Sequence, residues 1–425
     1  MKQYPAYKDS GVKWVGKVPS AWGLIRLKYL TSFRNGYAFD SDEYSEDGLP
    51  IMRIGDVCES IDLETMKKVP RDYERIYQEF GINYGDVLLA LTGATIGKTA
   101  VFNLHEKVLL NQRVAIIRPR KKLDNGYLKY IVAFSGFKEH IDFECEGGAQ
   151  DNIGKSEVGD FLTSVPDLAE QKSIGDYLDR KTAQIDGLIA KKERMIELLK
   201  EERAAVINQI VTKGLDPKVE MKDSGIEWLG KVPKHWEMKR LKYLVSLINQ
   251  SIEDEISVTT KIDLENLESW TGKIIEIENQ DLSVDGMKAF AIGDVLFNKL
   301  RPYLAKVYRA QECGVCGGEL LVLRPTSLID SDFLFYRVSS SDFINVVDGS
   351  TYGTKMPRAS WDFIGTLCVP FPEKAEQVKI AEYLGSFFKK TDLILKKLVS
   401  EIEYLKEYRT ALISEVVTGK ICLCE

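Results

Sequence analysis

Residues 8–30 (KDSGVKWVGKVPSAWGLIRLKYL) return as residues 222–244 (KDSGIEWLGKVPKHWEMKRLKYL), without a gap and at an offset of 214. Later pieces recur in the same order. Gly85-Asp86-Val87-Leu88 becomes Gly293-Asp294-Val295-Leu296 at offset 208, while Arg118-Pro119 becomes Arg324-Pro325 and Ala169-Glu170-Gln171 becomes Ala375-Glu376-Gln377 at offset 206. A period near 210 is far too long for a solenoid repeat, so each copy is predicted to be domain-sized. The drift in offset marks loops gained or lost between fixed frameworks. Two like units in one chain make a pseudo-twofold object, suited to a target built from two half-sites.

With 425 residues the chain can bury two sizeable cores. It has no apolar run near the roughly 20 residues a membrane helix needs, and its polar start, MKQYPAYKDSG, has no signal-like core. Seven cysteines without framework spacing fit a reducing cytosol, and a cytoplasmic location is expected. The net charge of −6 is uneven: residues 1–166 hold 22 basic and 23 acidic side chains, 167–214 hold 9 and 9, 215–372 hold 18 and 23, and 373–420 hold 9 and 8. Phosphates sense local arrangement rather than the sum, so charge leaves nucleic-acid binding open.

The four segments are of two kinds. Residues 167–214 read as one long helix, opened by a capping box between Asp167 and Glu170 and closed by Gly214 and Pro217. Alternating steps of four and three give Leu178, Thr182, Ile185, Ile189, Lys192, Ile196, Leu199, Arg203, Val206 and Ile210. The second copy gives Leu384, Phe388, Thr391, Leu395, Leu398, Ile402, Leu405, Arg409, Leu412 and Val416. Seven of ten and eight of ten positions are apolar, the pattern of a coiled-coil seam. Two such seams are best buried by pairing antiparallel; burial against the globular units is the alternative. Arg203 and Arg409 share one register and are expected to snorkel and pair with nearby glutamates.

Residues 1–166 and 215–372 read as mixed α/β domains. Strand-like runs at 85–91, 108–118, 293–298 and 320–324 lie between Gly-, Asn- and Asp-rich turns, followed by helical stretches near 127–140 and 331–347. The fold class is therefore α+β: two mixed domains joined by the helices 167–214 and 373–425 (the latter with a short tail). Trp14 with Trp22, and Trp228 with Trp236, flank Gly/Pro turns and read as packing clasps.

Catalytic signatures are missing. Thr92–Thr99 looks like a phosphate loop, but Gly93 and Gly97 enclose three residues where the Walker pattern requires four, and a strand-like Ala-Val-Phe-Asn follows. Cys313-Gly-Val-Cys316 lacks a second ligand pair, so no metal site is expected. Neither a G-x-G-x-x-G opening nor the Pro-Pro-aromatic motif of amino-methyltransferases occurs.

With repeat, helices and missing catalysis together, the chain resembles the specificity (S) subunits of type I restriction–modification systems. The resemblance rests on the duplicated Lys-Asp-Ser-Gly…Trp…Gly-Lys-Val-Pro…Trp segment, Thr92–Lys98, Lys299-Leu-Arg-Pro-Tyr-Leu-Ala-Lys306 and the Ala-Glu-Gln helix starts, and spans nearly the whole chain. It implies that 1–166 and 215–372 are target-recognition domains, each reading half of a split, asymmetric double-stranded DNA site. The helices would set the gap and dock methyltransferase (M) subunits, two in number, with restriction (R) subunits joining for cleavage. No cofactor is expected in this chain; S-adenosylmethionine, ATP and magnesium belong to the partner subunits.

The residues expected to face DNA are amide, hydroxyl and basic side chains in Gly-rich turns at strand ends, chemistry suited to base edges and phosphates. In the first domain these are Arg53, Thr92, Thr95, Lys98, Gln112, Arg113, Gln150, Asn152 and Lys155. In the second they are Asn298, Lys299, Arg301, Tyr303, Lys306, Tyr352, Lys355 and Arg358. A non-catalytic protein–protein scaffold, with two binding domains on a coiled coil, is the competing reading.

Overall fold

The computed structural model describes residues 3–58, 60–146, 152–250, 260–275, 287–353 and 355–423. The chain forms two compact units, residues 1–192 with 400–425, and residues 193–399. Each unit combines one sheet domain with part of each of two long helices, Leu168–Lys213 and Lys374–Val417. No helix among the described residues is long and apolar enough to cross a membrane.

In the first unit the central sheet is antiparallel, in the order Thr31–Asn35, Val114–Pro119, Val87–Ala90, Thr99–Val101. The second unit repeats the order with Val245–Ile248, Leu320–Pro325, Val295–Asn298 and Val307–Arg309. These inner strands are apolar at successive positions because both faces are covered. Val295, Phe297, Leu321 and Leu323 enter a core with Phe333, Leu334, Ile207 and Val211. Their neighbours Leu296, Leu320 and Val322 join Ile262, Phe290 and Tyr308 on the other face. That division follows the two-residue period of a strand.

The repeated Gly-Asp before each inner strand has a local cause. Asp86 accepts two hydrogen bonds from Arg118 (2.6 and 2.5 Å), and Asp294 accepts two from Arg324 (2.9 and 2.8 Å). Each aspartate also caps its own turn, taking the amide of Asn83 or Ala291 at 2.8 Å. The two repeated pairs of sequence fragments are thus one bidentate ion pair, made twice.

Sequence and structure differ in the secondary elements at three places. The run 108–118 divides into Leu109–Leu110 and Val114–Pro119, which belong to different sheets, because Asn111–Arg113 form a turn between them. The helical stretches break into Asn125–Ala133 and Ser135–Glu146, and into Ser331–Ser339 and Ser341–Gly349, where Phe134 and Ser340 adopt extended backbone.

The long helices begin where the Ala-Glu-Gln motifs stand. Asp167 Oδ1 accepts the Glu170 amide at 2.9 Å, the expected cap. Glu170 then accepts the indole N–H of Trp22 at 3.0 Å, and Glu376 that of Trp236 at 3.2 Å; both tryptophans are buried. The clasp reading of these tryptophans agrees with their packing.

Inside the first unit Arg409 pairs with Asp186 (3.0 Å) and Lys192 with Glu401 (2.5 Å), so one helix number falls as the other rises. Inside the second unit Arg203 pairs with Asp392 at 2.5 Å, and Gly214 lies against Glu376. The helices run antiparallel within each unit. Of the seam, Leu178, Ile185, Ile189, Leu384, Leu398, Ile402 and Leu412 are buried, while Ile196, Leu199, Val206, Phe388, Leu395 and Leu405 are half-buried. The two seam arginines meet aspartates, not the expected glutamates. Arg203 does not snorkel: it is buried, with its guanidinium 4.3 Å above the Phe388 ring.

Candidate nucleic-acid interface

At one end of each central sheet the backbone makes the same turn twice with different side chains. In the first unit Leu91 donates its amide to Arg113 O (3.0 Å) and Ile153 donates to Leu91 O (2.9 Å). In the second, Lys299 donates to Glu319 O (3.1 Å) and Ala359 donates to Lys299 O (2.9 Å). Single β-bridges, Thr92 to Asn152 and Leu300 to Arg358, close the two arrangements. Left-handed backbone falls at matching places: Gly93 (φ 65°) and Gly97 (φ 77°) in one copy, Arg301 (φ 51°) and Ala305 (φ 45°) in the other. Glycine takes this conformation freely; arginine and alanine hold it at a cost.

Four of the expected first-domain residues converge. Thr92, Gln112, Arg113 and Asn152, together with Asn35, line an open groove of ≈ 670 Å³. Gln112, Arg113 and Asn152 are exposed, and the Thr92 hydroxyl is buried in the groove wall with no protein partner. Amides, a hydroxyl and a guanidinium on one concave surface match the donors and acceptors of base edges. Lys98 is exposed just beyond the turn, and Lys155 is exposed at the start of the helix Lys155–Gly159. Thr95 closes its own turn, donating to Thr92 O at 3.1 Å. Arg53 is half-buried and held by Asp56 at 3.1 Å. Gln150 lies outside the described residues.

In the second domain Arg301, Tyr303, Tyr352, Lys355 and Arg358 are exposed and Lys299 is half-buried. The backbone gathers several of them: Tyr352 and Arg358 exchange amide hydrogen bonds (3.2 and 3.1 Å), and Arg301 Nη2 donates to Lys355 O at 3.2 Å. One expectation fails. Asn298 is buried, and both ends of its amide bond the backbone of Leu300, so it builds the turn instead of facing out. Lys306 is half-buried and its ammonium donates to Leu264 O at 2.9 Å, whereas Lys98, its counterpart at offset 208, is exposed. Asn35 and Glu319 went unnoticed in the sequence. Aligning the copies at offset 206 would have found Glu319, since it falls opposite Arg113.

Cys316 is buried while Cys313 is exposed, and burial pushes the Cys316 thiol up to about 12, so it is an inert core thiol. Nearby, burial and the neighbouring Lys299 hold the Lys288 ammonium below its ordinary range, and its protons go to Gly318 O and Leu320 O.

Residues 19–198 and 233–404 each match the type I restriction modification DNA specificity domain. The chain is 23% identical over 428 residues to the type I restriction enzyme EcoDI specificity subunit of Escherichia coli, covering 96% of this chain and 90% of that one. It is 21% identical over 439 residues to the EcoKI specificity subunit of the same species, covering 96% and 90%. Among solved structures, a chain from work on complex assembly and conformational transition of the type I R-M system aligns with a TM-score of 0.70 at 13% identity, covering 95% of this chain and 99% of that one. The HsdS subunit of Thermoanaerobacter tengcongensis aligns with a TM-score of 0.55 at 14% identity, covering 95% and 98%.

Proposed function

We propose, for a chain that belongs to the type I restriction–modification DNA specificity family and is its non-catalytic recognition subunit, that each sheet domain reads one half of a split duplex target. One observation carries this reading: the same strand-end turn is built twice and dressed with unlike side chains. A shared frame gives the two readers one way of meeting a duplex; unlike side chains give them unlike half-sites.

The division of labour follows the segments 1–166, 167–214, 215–372 and 373–425. The two globular segments carry Thr92, Lys98, Gln112, Arg113, Asn152 and Lys155, and Lys299, Arg301, Tyr303, Tyr352, Lys355 and Arg358, as DNA-facing groups. The helical segments fix the gap between half-sites and dock two methyltransferase subunits, with restriction subunits joining the complete enzyme. S-adenosylmethionine, ATP and magnesium would be bound by those partners. The complex works on DNA in the cytoplasm.

Exchanging residues 1–166 for the matching domain of a related subunit tests the reading. Methylation profiling of host DNA should then show one half of the methylated sequence replaced, with the other half and the gap intact. A swap that alters both halves together refutes modular reading. A purified complex with no salt-sensitive duplex binding would favour the protein scaffold instead.

A further inference from the structure

The two repeats differ in charge at one pair of equivalent positions. Arg113 and Asn152 occupy the positions on either side of the first turn; Glu319 and Arg358 occupy them in the second. In the first unit both side chains are exposed on the groove. In the second, Glu319 Oε1 accepts from Arg358 Nη2 at 2.6 Å, with side-chain exposures of 30% and 44%. The other carboxylate oxygen, Oε2, is buried and has no partner.

This pair does little for the fold. An ion pair so exposed adds little to stability, and the backbone of Arg358 is already fixed by bonds to Tyr352 on both sides and by Ala359 to Lys299. What the carboxylate does is remove rotamer freedom from a guanidinium that stays open to solvent. A planar fork held by one N–H still has donors left for an edge with two acceptors, and in the major groove that edge is guanine O6 and N7. An unheld arginine must pay side-chain entropy to dock; a held one has less to lose.

We infer that Arg358 reads a guanine in the half-site of the second domain and that Glu319 is its positioning residue. The first domain puts Asn152 at the same place. An asparagine pairs with adenine N6 and N7, so the two half-sites differ in purine at equivalent steps. This assignment rests on the duplex-reading function proposed above.

The test uses the full chain with its co-expressed methyltransferase subunits and a duplex obtained by selection from randomised sequences. Each guanine of the second half-site is replaced in turn by 7-deazaguanine, which lacks the N7 acceptor. The intact protein should lose roughly 5- to 150-fold in affinity at one guanine. R358A and R358K should bind the unmodified duplex less tightly and show no further loss at that guanine. R358K keeps the charge without the fork, so its insensitivity separates readout from attraction to phosphate. E319Q should lose most of the sensitivity, and E319D should restore part of it. Sensitivity in the first half-site should be unchanged in every variant, which a merely misfolded protein would not manage. Equal N7 dependence in R358A and wild type overturns the assignment while leaving duplex reading in place. Absence of duplex binding by the wild-type complex overturns both.

Discussion

Gln377 sits at the start of the second long helix, fully buried, with each end of its amide in use. Its Oε1 accepts the Asp330 amide at 2.7 Å, and its Nε2 donates to Leu328 O at 3.0 Å and Pro372 O at 2.8 Å. Replacing it with leucine keeps the volume and removes all three bonds. The Pro372 bond is buried, so its carbonyl is stranded at a cost of about 1–3 kcal/mol. The other two bonds are only partly buried and count for about 1 kcal/mol each. Added apolar burial returns about 1 kcal/mol, so Q377L should lower stability by about 2–4 kcal/mol. For a cooperative unit of this size that is a Tm lower by about 5–15 °C. Urea unfolding followed by tryptophan fluorescence measures it, since buried Trp236 bonds the adjoining Glu376. Val378→Ala, one residue along and 38% exposed, is the control and should stay within about 0.5 kcal/mol. If Q377L and V378A were indistinguishable, the staple would be ornamental and the repetition of Ala-Glu-Gln would need another cause.

Ile402 is a buried seam residue, and Ile402→Asp should cost at least about 3 kcal/mol in lost packing and buried charge, read as a drop in urea midpoint. Lys98 is exposed beyond the first turn, so K98A should weaken binding to all duplexes alike and flatten the salt slope by about 0.9. An unchanged slope would remove Lys98 from the interface. Although burial acts to raise it, Lys273 and Arg203 hold the Asp392 carboxyl below its ordinary range. A depressed folded pKa stabilises above the unfolded value of about 3.9 and fades as pH falls through the folded one, so D392N should flatten the acid limb of stability against pH. Arg301→Gly should be more stable than Arg301→Ala by about 1 kcal/mol in thermal unfolding, because only glycine is at ease at φ 51°. Both should lose duplex affinity.

What the sequence disclosed followed the range of the interaction behind it. A helical seam needs only apolar residues at the right spacing, so the register from Leu178 to Ile210 could be read directly. The partners of Arg203 and Arg409 could not, because they depend on which residue of the opposing helix falls alongside. Antiparallel register brings Asp392 and Asp186 there, ahead of any of the nearby glutamates. The strand-end groove was half-legible for a similar reason. Thr92, Gln112, Arg113 and Asn152 each carried the right chemistry, yet only tertiary structure joins residues 35 and 152 across the end of one sheet. Asn298 carried the same chemistry and turned inward, since an asparagine at a strand end serves a backbone turn as readily as a base.

The two left-handed positions join these lines. A reader of the first copy sees Gly93 and Gly97 and infers a phosphate loop or a tight turn. A reader of the second sees Arg301 and Ala305 and infers nothing, because neither residue advertises a positive φ. At offset 208 both copies have positive φ at these positions, and the second domain places an arginine where glycine would be easier. Strain at an exposed turn is retained when the side chain returns more than the backbone loses. The Arg301 guanidinium reaches Lys355 O, beside the segment that presents Arg358, so the strained residue and the buttressed one stand at the same end of the sheet. If the turn existed only to connect two strands, glycine at 301 would serve better. Arginine at 301, in the copy whose neighbouring glutamate holds a second arginine, fits the guanine-reading surface proposed above.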